Sequence, residues 1–192
     1  RRHVHQLHLP RADVEVDVDM ENVDGGAYLW GTLTTDRTGR GLVTNSYRAF
    51  VDWSAEPAVA GAAAFAAFWA WLTELREGCI TAGVSFAAYC WSEAAENTWL
   101  RAGGAHLGVD DEVEAFIDSG AWIDLLPLVR SQVITGHGFG LKLVAPLTGF
   151  RWRDDDPGGA QSMQWWQDAV DPTVSPGEQA VQRERLIVYN ED

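Results

Sequence analysis

Residues 13–21 read Asp-Val-Glu-Val-Asp-Val-Asp-Met-Glu. Alternation at a period of two marks a β-strand. It puts Val14, Val16, Val18 and Met20 on one face and Glu15, Asp17, Asp19 and Glu21 on the other. Same-face carboxylates on a strand stand about 7 Å apart. With charged oxygens roughly 5 Å apart and an effective dielectric near 20, each neighbouring pair repels by about 3 kcal/mol. On an exposed edge, water screens such a row. In a sheet interior the row requires a counter-charge, and a divalent cation is the compact one.

The chain around this stretch has the composition of a folded domain. Its 192 residues suffice for one core, and with 46% apolar residues and ten Trp it is not a disordered chain. It opens on Arg-Arg-His and stops soon after an apolar run, which reads as a piece cut from a longer protein. Residues 1–12 read as a lead-in and residues 13–192 as one domain. No uninterrupted run of eighteen apolar residues occurs, Ala58–Leu75 coming nearest, so no membrane span is expected. Cys79 and Cys90 are too few for a disulfide scaffold or a zinc site, which suits a reducing cytoplasm. The net charge of −14 opposes a non-specific phosphate binder, which is normally basic. Bound cations, or further domains of a longer protein, would offset it.

Downstream, Ala27–Thr35 and Leu42–Trp53 read as second and third strands, joined by turns into an antiparallel meander. Pro57 opens a long helix whose Phe65, Phe68, Trp69, Leu72 and Leu75 form one apolar stripe, hence core. Val84–Trp91 is an apolar, buried fourth strand. Ser92 is expected to cap the next helix, which carries Glu93 and Glu96 on one face at the carboxyl end of that strand, where open α/β sheets bind ligands. Gly103–Gly108 reads as a break, followed by an acidic helix from Asp110 and a short strand bearing Asp124. Gly136–Gly140 is a flexible loop that could cradle a phosphate between His137 and Lys142, the chain's one lysine. His3, His5 and His8 lack metal-ligand spacing and read as surface residues. Asp154–Gly159 reads as a turn, Trp165–Trp166 as core on a helix, and Asp171–Gly177 as a linker into a last helix from Glu178. The fold class is therefore α/β, a mixed sheet flanked by helices.

With its acids so placed, the chain resembles the ribonuclease H-like domains, and within them the DEDD family of 3′–5′ exonucleases. The residues that carry the resemblance are Asp19-Met20-Glu21, Glu96 on the helix after the fourth strand, the Gly140–Phe150 segment with the Asp124 strand before it, and Tyr189-Asn190-Glu191-Asp192. More narrowly it is similar to the domain of predicted RecB-family nucleases, some of them fused to helicases.

The resemblance implies three antiparallel strands followed by parallel ones, and a metal-dependent nuclease. It implies two Mg²⁺ or Mn²⁺ ions held by Asp19, Glu21, Glu96 and Asp192, with Tyr189 orienting water and Lys142 and His137 holding substrate. The partners would be nucleic acid ends and other domains of a larger polypeptide. In three places the pattern departs from the family: Glu96 stands where Asp is usual, with Glu93 a rival for the role, the helix-opening His or Asn is missing, and Asp192 lies three residues past Tyr189 where four are usual. The last departure points to a final ligand beyond the chain and a truncated C-terminal helix. The alternative is a non-catalytic module of the same fold that docks nucleic acid or a partner nuclease or helicase domain.

Overall fold

The computed structural model describes residues 7–136, 138–153 and 159–192. Among them, five strands form one mixed sheet in the order β3-β2-β1-β4-β5. The acidic strand β1 (Val14–Val23) lies at its centre, antiparallel to β2 (Gly26–Asp36) and parallel to β4 (Phe86–Cys90). β3 (Ser46–Val51) closes one edge antiparallel to β2, and β5 (Trp122–Asp124) the other, parallel to β4. The helices are α1 (Pro57–Ala82), α2 (Ala94–Leu107), α3 (Asp110–Ile117), α4 (Leu125–Gln132), α5 (Leu141–Val144), α6 (Gly159–Val170) and α7 (Pro176–Glu191).

The two faces of β1 fill two layers of packing. Val16, Val18 and Met20 join Phe65, Phe68, Trp69 and Leu72 of α1, Leu100 of α2, and Val113 and Phe116 of α3 in one core. Trp30 stacks on Phe68 there, with ring centroids 4.7 Å apart. Burying each such side chain is worth about 1.5–3 kcal/mol. On the opposite face Tyr28 and Leu29 pack against Trp165, Trp166 and Ala169 of α6 and Leu186 of α7. A bulge makes both possible: Glu21 pairs with Leu29 and Asn22 with Ala27, which leaves Tyr28 as the extra residue. α1 has the length and composition of a membrane-crossing helix, but its Phe65, Phe68 and Trp69 are buried in the first core.

Several local expectations change. The third strand is shorter than Leu42–Trp53 because Asp36 gathers the preceding turn, its carboxylate accepting from the Thr38 amide at 2.8 Å and the Leu42 amide at 2.6 Å. Ser92 does not cap α2; its backbone sits in the left-handed region at φ 72° and its amide donates to Asp124 Oδ1 at 2.9 Å. α7 starts at Pro176, inside the expected linker, because Ser175 and Glu178 form a reciprocal capping box. Of the expected turn at Asp154–Gly159, residues 154–158 lie outside the described residues and Gly159 opens α6.

Nor does Gly103–Gly108 break the chain at its start, since α2 runs through to Leu107. A Cβ on Gly103 would collide with the Phe65 ring, and one on Gly104 would lie 2.9 Å from Val113 Cγ2. These glycines let α1 and α3 approach α2. Gly103→Ala is therefore expected to lower stability by about 1–3 kcal/mol, because overpacking outweighs the roughly 1 kcal/mol of helix propensity that Ala adds. Urea denaturation monitored by Trp fluorescence measures it.

Candidate active site

Each acid of β1 has a different electrostatic solution. Glu15 is buried, and its counter-charge is a pair of guanidiniums: Arg11 Nη2 at 2.8 Å and Arg37 Nη1 at 3.3 Å, both on Oε2. The Tyr89 hydroxyl, whose shorter hydrogen bond goes to the Pro10 carbonyl at 2.8 Å, lies 3.2 Å from Oε1, and the Ala12 amide donates to that oxygen at 3.1 Å. No cation is needed at that end of the row. Asp17 faces solvent, with burial first and Glu15 second raising its carboxyl pKa.

Asp19 and Glu21 stand at the other end, on the floor of a cleft of about 420 Å³. β2 and α7 bring their partners. Gly31 pairs with Asp19 across the sheet, and a Cβ there would collide with Asn190 Oδ1. The bare backbone lets the Asn190 carboxamide lie over β2. Asn190 Nδ2 donates to Asp19 Oδ2 at 3.1 Å, while its Oδ1 accepts from the Tyr47 hydroxyl at 2.9 Å. Asn190 and Ser162 also hydrogen-bond Glu21.

Asp19 reaches solvent through the cleft although protein surrounds it. Burial raises its pKa, against the Met20 amide and Lys142, which lower it. Glu21 is raised by burial first and by Asp19 second. Two carboxyls so placed cannot both ionise freely.

Glu96, in the first turn of α2, is buried, and its Oε2 has no hydrogen-bond partner. Burial, followed by repulsion from Asp19, Asp124 and Glu93, pushes its pKa up to about 7. It does not line the cleft wall, but it lies within electrostatic reach of Asp19. Asp124 has a scaffolding position: besides Ser92 it accepts from the Glu93 amide at 3.2 Å and caps α4 through Leu126 N at 2.9 Å.

Lys142 Nζ donates to the Tyr189 hydroxyl at 2.8 Å, and both line the same cleft as Asp19. Asp192 lines it too, but its carboxylate is held by Arg153, through the guanidinium Nε and through the Arg153 amide at 2.8 Å. Arg153 also grips Glu191 at 2.9 Å and the Val188 carbonyl at 3.0 Å, clamping the last turn of α7. His137 lies outside the described residues.

Asp19, Glu21, Lys142, Tyr189 and Asp192 thus share one cleft, with Glu96 beside it. Among the described residues, no three acidic, His or Cys side chains stand close enough to enclose one ion. The donors at Asp19, Glu21 and Glu96 are all carboxylate oxygen, the choice of hard cations such as Mg²⁺ and Mn²⁺. Asp19 and Glu21 open into the cleft, but Glu96 does not line it, so the three carboxylates do not close on a single ion. Asp192, already ion-paired, does not extend the set.

Sequence reasoning missed Gly31, Tyr47, Asn190 and Arg153. A glycine inside a strand signals close approach of another group, so Gly31 carried a legible sign. Arg153 carried none. A comparison with family models, with curated proteins and with solved structures found no match.

Glu96 ties stability to pH. Its folded-state pKa of about 7 lies above the ordinary 4.5, so between these values the folded chain holds a proton that the unfolded chain releases. Stability therefore falls as pH rises through that window, and Glu21, raised to about 8, carries the fall beyond it. The Glu96 share of the drop is expected to be about 3 kcal/mol. Glu96→Gln should remove that share, leaving the part due to Asp19 and Glu21, and be the more stable form at alkaline pH, as measured by urea unfolding on both sides of the window.

Proposed function

We propose that this chain is a ribonuclease H-like domain of a divalent-metal-dependent nuclease, hydrolysing phosphodiester bonds from the 3′ ends of DNA or RNA. The observation that carries the reading is the unsatisfied, buried Glu96 oxygen within electrostatic reach of Asp19 and its neighbour Glu21. A sheet of three antiparallel strands followed by parallel ones, with its acids on the central strand, supports it.

In this reading Asp19 and Glu21 would supply carboxylate oxygens to Mg²⁺ or Mn²⁺ in the cleft, with Glu96 beside them. Such ions supply positive charge against the scissile phosphate and acidify water for attack. Asn190 and Ser162 fix the rotamers of the acids by donating to them. Lys142 donates to the Tyr189 phenol oxygen at the cleft, where a phenol could orient a water by hydrogen bonding. Water adds to phosphorus, the bond to the 3′ oxygen breaks, and that oxygen leaves with a proton.

The capture of Asp192 by Arg153 favours a second reading, in which the domain docks nucleic acid or a neighbouring nuclease or helicase domain without cleaving. Mn²⁺ separates the two. The nuclease reading expects a rise in melting temperature of about 5–10 °C at a hundredfold excess over Kd, together with release of nucleotides from a 5′-labelled oligonucleotide. Asp19→Ala should abolish cleavage and the Mn²⁺ shift while melting no lower than wild type in EDTA, because it removes one member of a repelling pair. Oligonucleotide binding with neither shift nor cleavage would select the docking reading.

A further inference from the structure

The cleft does not end at Asp19. Asp17, Tyr89 and Leu125 line both it and a side groove of about 120 Å³, whose far wall is formed by Arg11, Glu15 and Arg37. Each guanidinium gives Glu15 one nitrogen, and the side chains remain about half exposed, Arg11 at 53% and Arg37 at 46%. Arginine carries five N–H donors in a planar fork that matches phosphate oxygens two at a time. Glu15 Oε1 meanwhile accepts from the Ala12 amide, so Glu15 fixes the two guanidiniums without using up their donors. In a chain with 14 basic residues against 28 acidic ones, two half-exposed guanidinium forks stand side by side on one buried carboxylate.

We infer that Arg11 and Arg37 form a phosphate-binding subsite for single-stranded nucleic acid, joined to the acid cluster by the groove along β1. The inference rests on the nuclease reading and specifies where that substrate lies. Glu15 and Asp19 are four residues apart on β1, a span of about 13 Å. That is roughly two to four nucleotides of one strand, according to whether its bases are unstacked or stacked. Asp17 lines the groove between the two, so binding there rests on the forks' spare N–H donors rather than on net positive charge. Phosphate is common to DNA and RNA, so the subsite holds either.

The test is fluorescence anisotropy of labelled oligo(dT) and oligo(rU), each of about twelve nucleotides, titrated with the full chain in Ca²⁺ from about 50 to 200 mM salt. Arg11→Gln with Arg37→Gln is expected to reduce the slope of log affinity against log salt by about 0.7, the contribution of one single-strand phosphate. Affinity at the low-salt end should fall about tenfold. Because these arginines also neutralise Glu15, the same pair is repeated with Glu15→Gln, which leaves no unpaired buried charge, and melting curves check that each variant is folded. Arg11→Lys with Arg37→Lys should keep the slope and lose part of the affinity. An unchanged slope in the folded Gln variants, with wild-type cleavage intact, overturns the subsite and leaves the nuclease reading standing. A loss confined to DNA or to RNA overturns the phosphate assignment. Failure of the wild type to bind either oligonucleotide overturns both.

Discussion

Like-charge repulsion along one central strand is the constraint to which the rest of the molecule answers. Four carboxylates on one face of β1, at about 3 kcal/mol per adjacent pair, cannot be folded into a sheet interior without compensation. The fold answers the charges one by one. Glu15 receives two guanidiniums and a backbone amide, Asp17 is left to solvent, and Asp19 and Glu21 receive neutral donors from Asn190 and Ser162. Among the acids of the described residues, Glu96, brought near from another helix, keeps a buried carboxylate oxygen with no hydrogen-bond partner. Guanidiniums answer one end of the row, and neutral donors together with burial-raised pKa values answer the other. A divalent cation bound there, as the nuclease reading proposes, would add stability by mass action.

The cleft depends on α7 being held at a fixed height over β2. Gly31 allows the approach, Tyr47 fixes the Asn190 carboxamide from β3, and Arg153 ties down the final turn. Leu186 of α7 joins Tyr28 and Trp166 in the second core. Tyr189 follows from the same placement, one residue before Asn190 and in hydrogen-bond contact with Lys142 from α5. Asn190 and Tyr189 therefore form a single unit: a shift of α7 would release the acids and misplace the phenol together.

Much of the architecture was legible because period and composition carry it. The alternation at residues 13–21, the aromatic stripe of α1 and the apolar fourth strand each set a face, and each face is buried as expected. The boundaries that failed did so through tertiary contacts. Gly103 and Gly104 look like breakers, yet they are helical because Phe65 and Val113 need the space. Ser92 looks like a cap, yet the Asp124 carboxylate, 32 residues away, takes its amide.

By itself the sequence determined that a strongly acidic strand would lie in an α/β core with further acids at the ends of later elements, since alternation and helical spacing are local properties of the chain. Only the tertiary structure decided which acid would be neutralised and which left bare. That choice depends on where Arg11, Arg37, Arg153 and Asn190 arrive in space, and a long arginine or a carboxamide carries no periodic signal of its destination. Coulomb energy depends on distance through space rather than along the chain, so the difference between a paired acid and a waiting one appears only once the chain has folded.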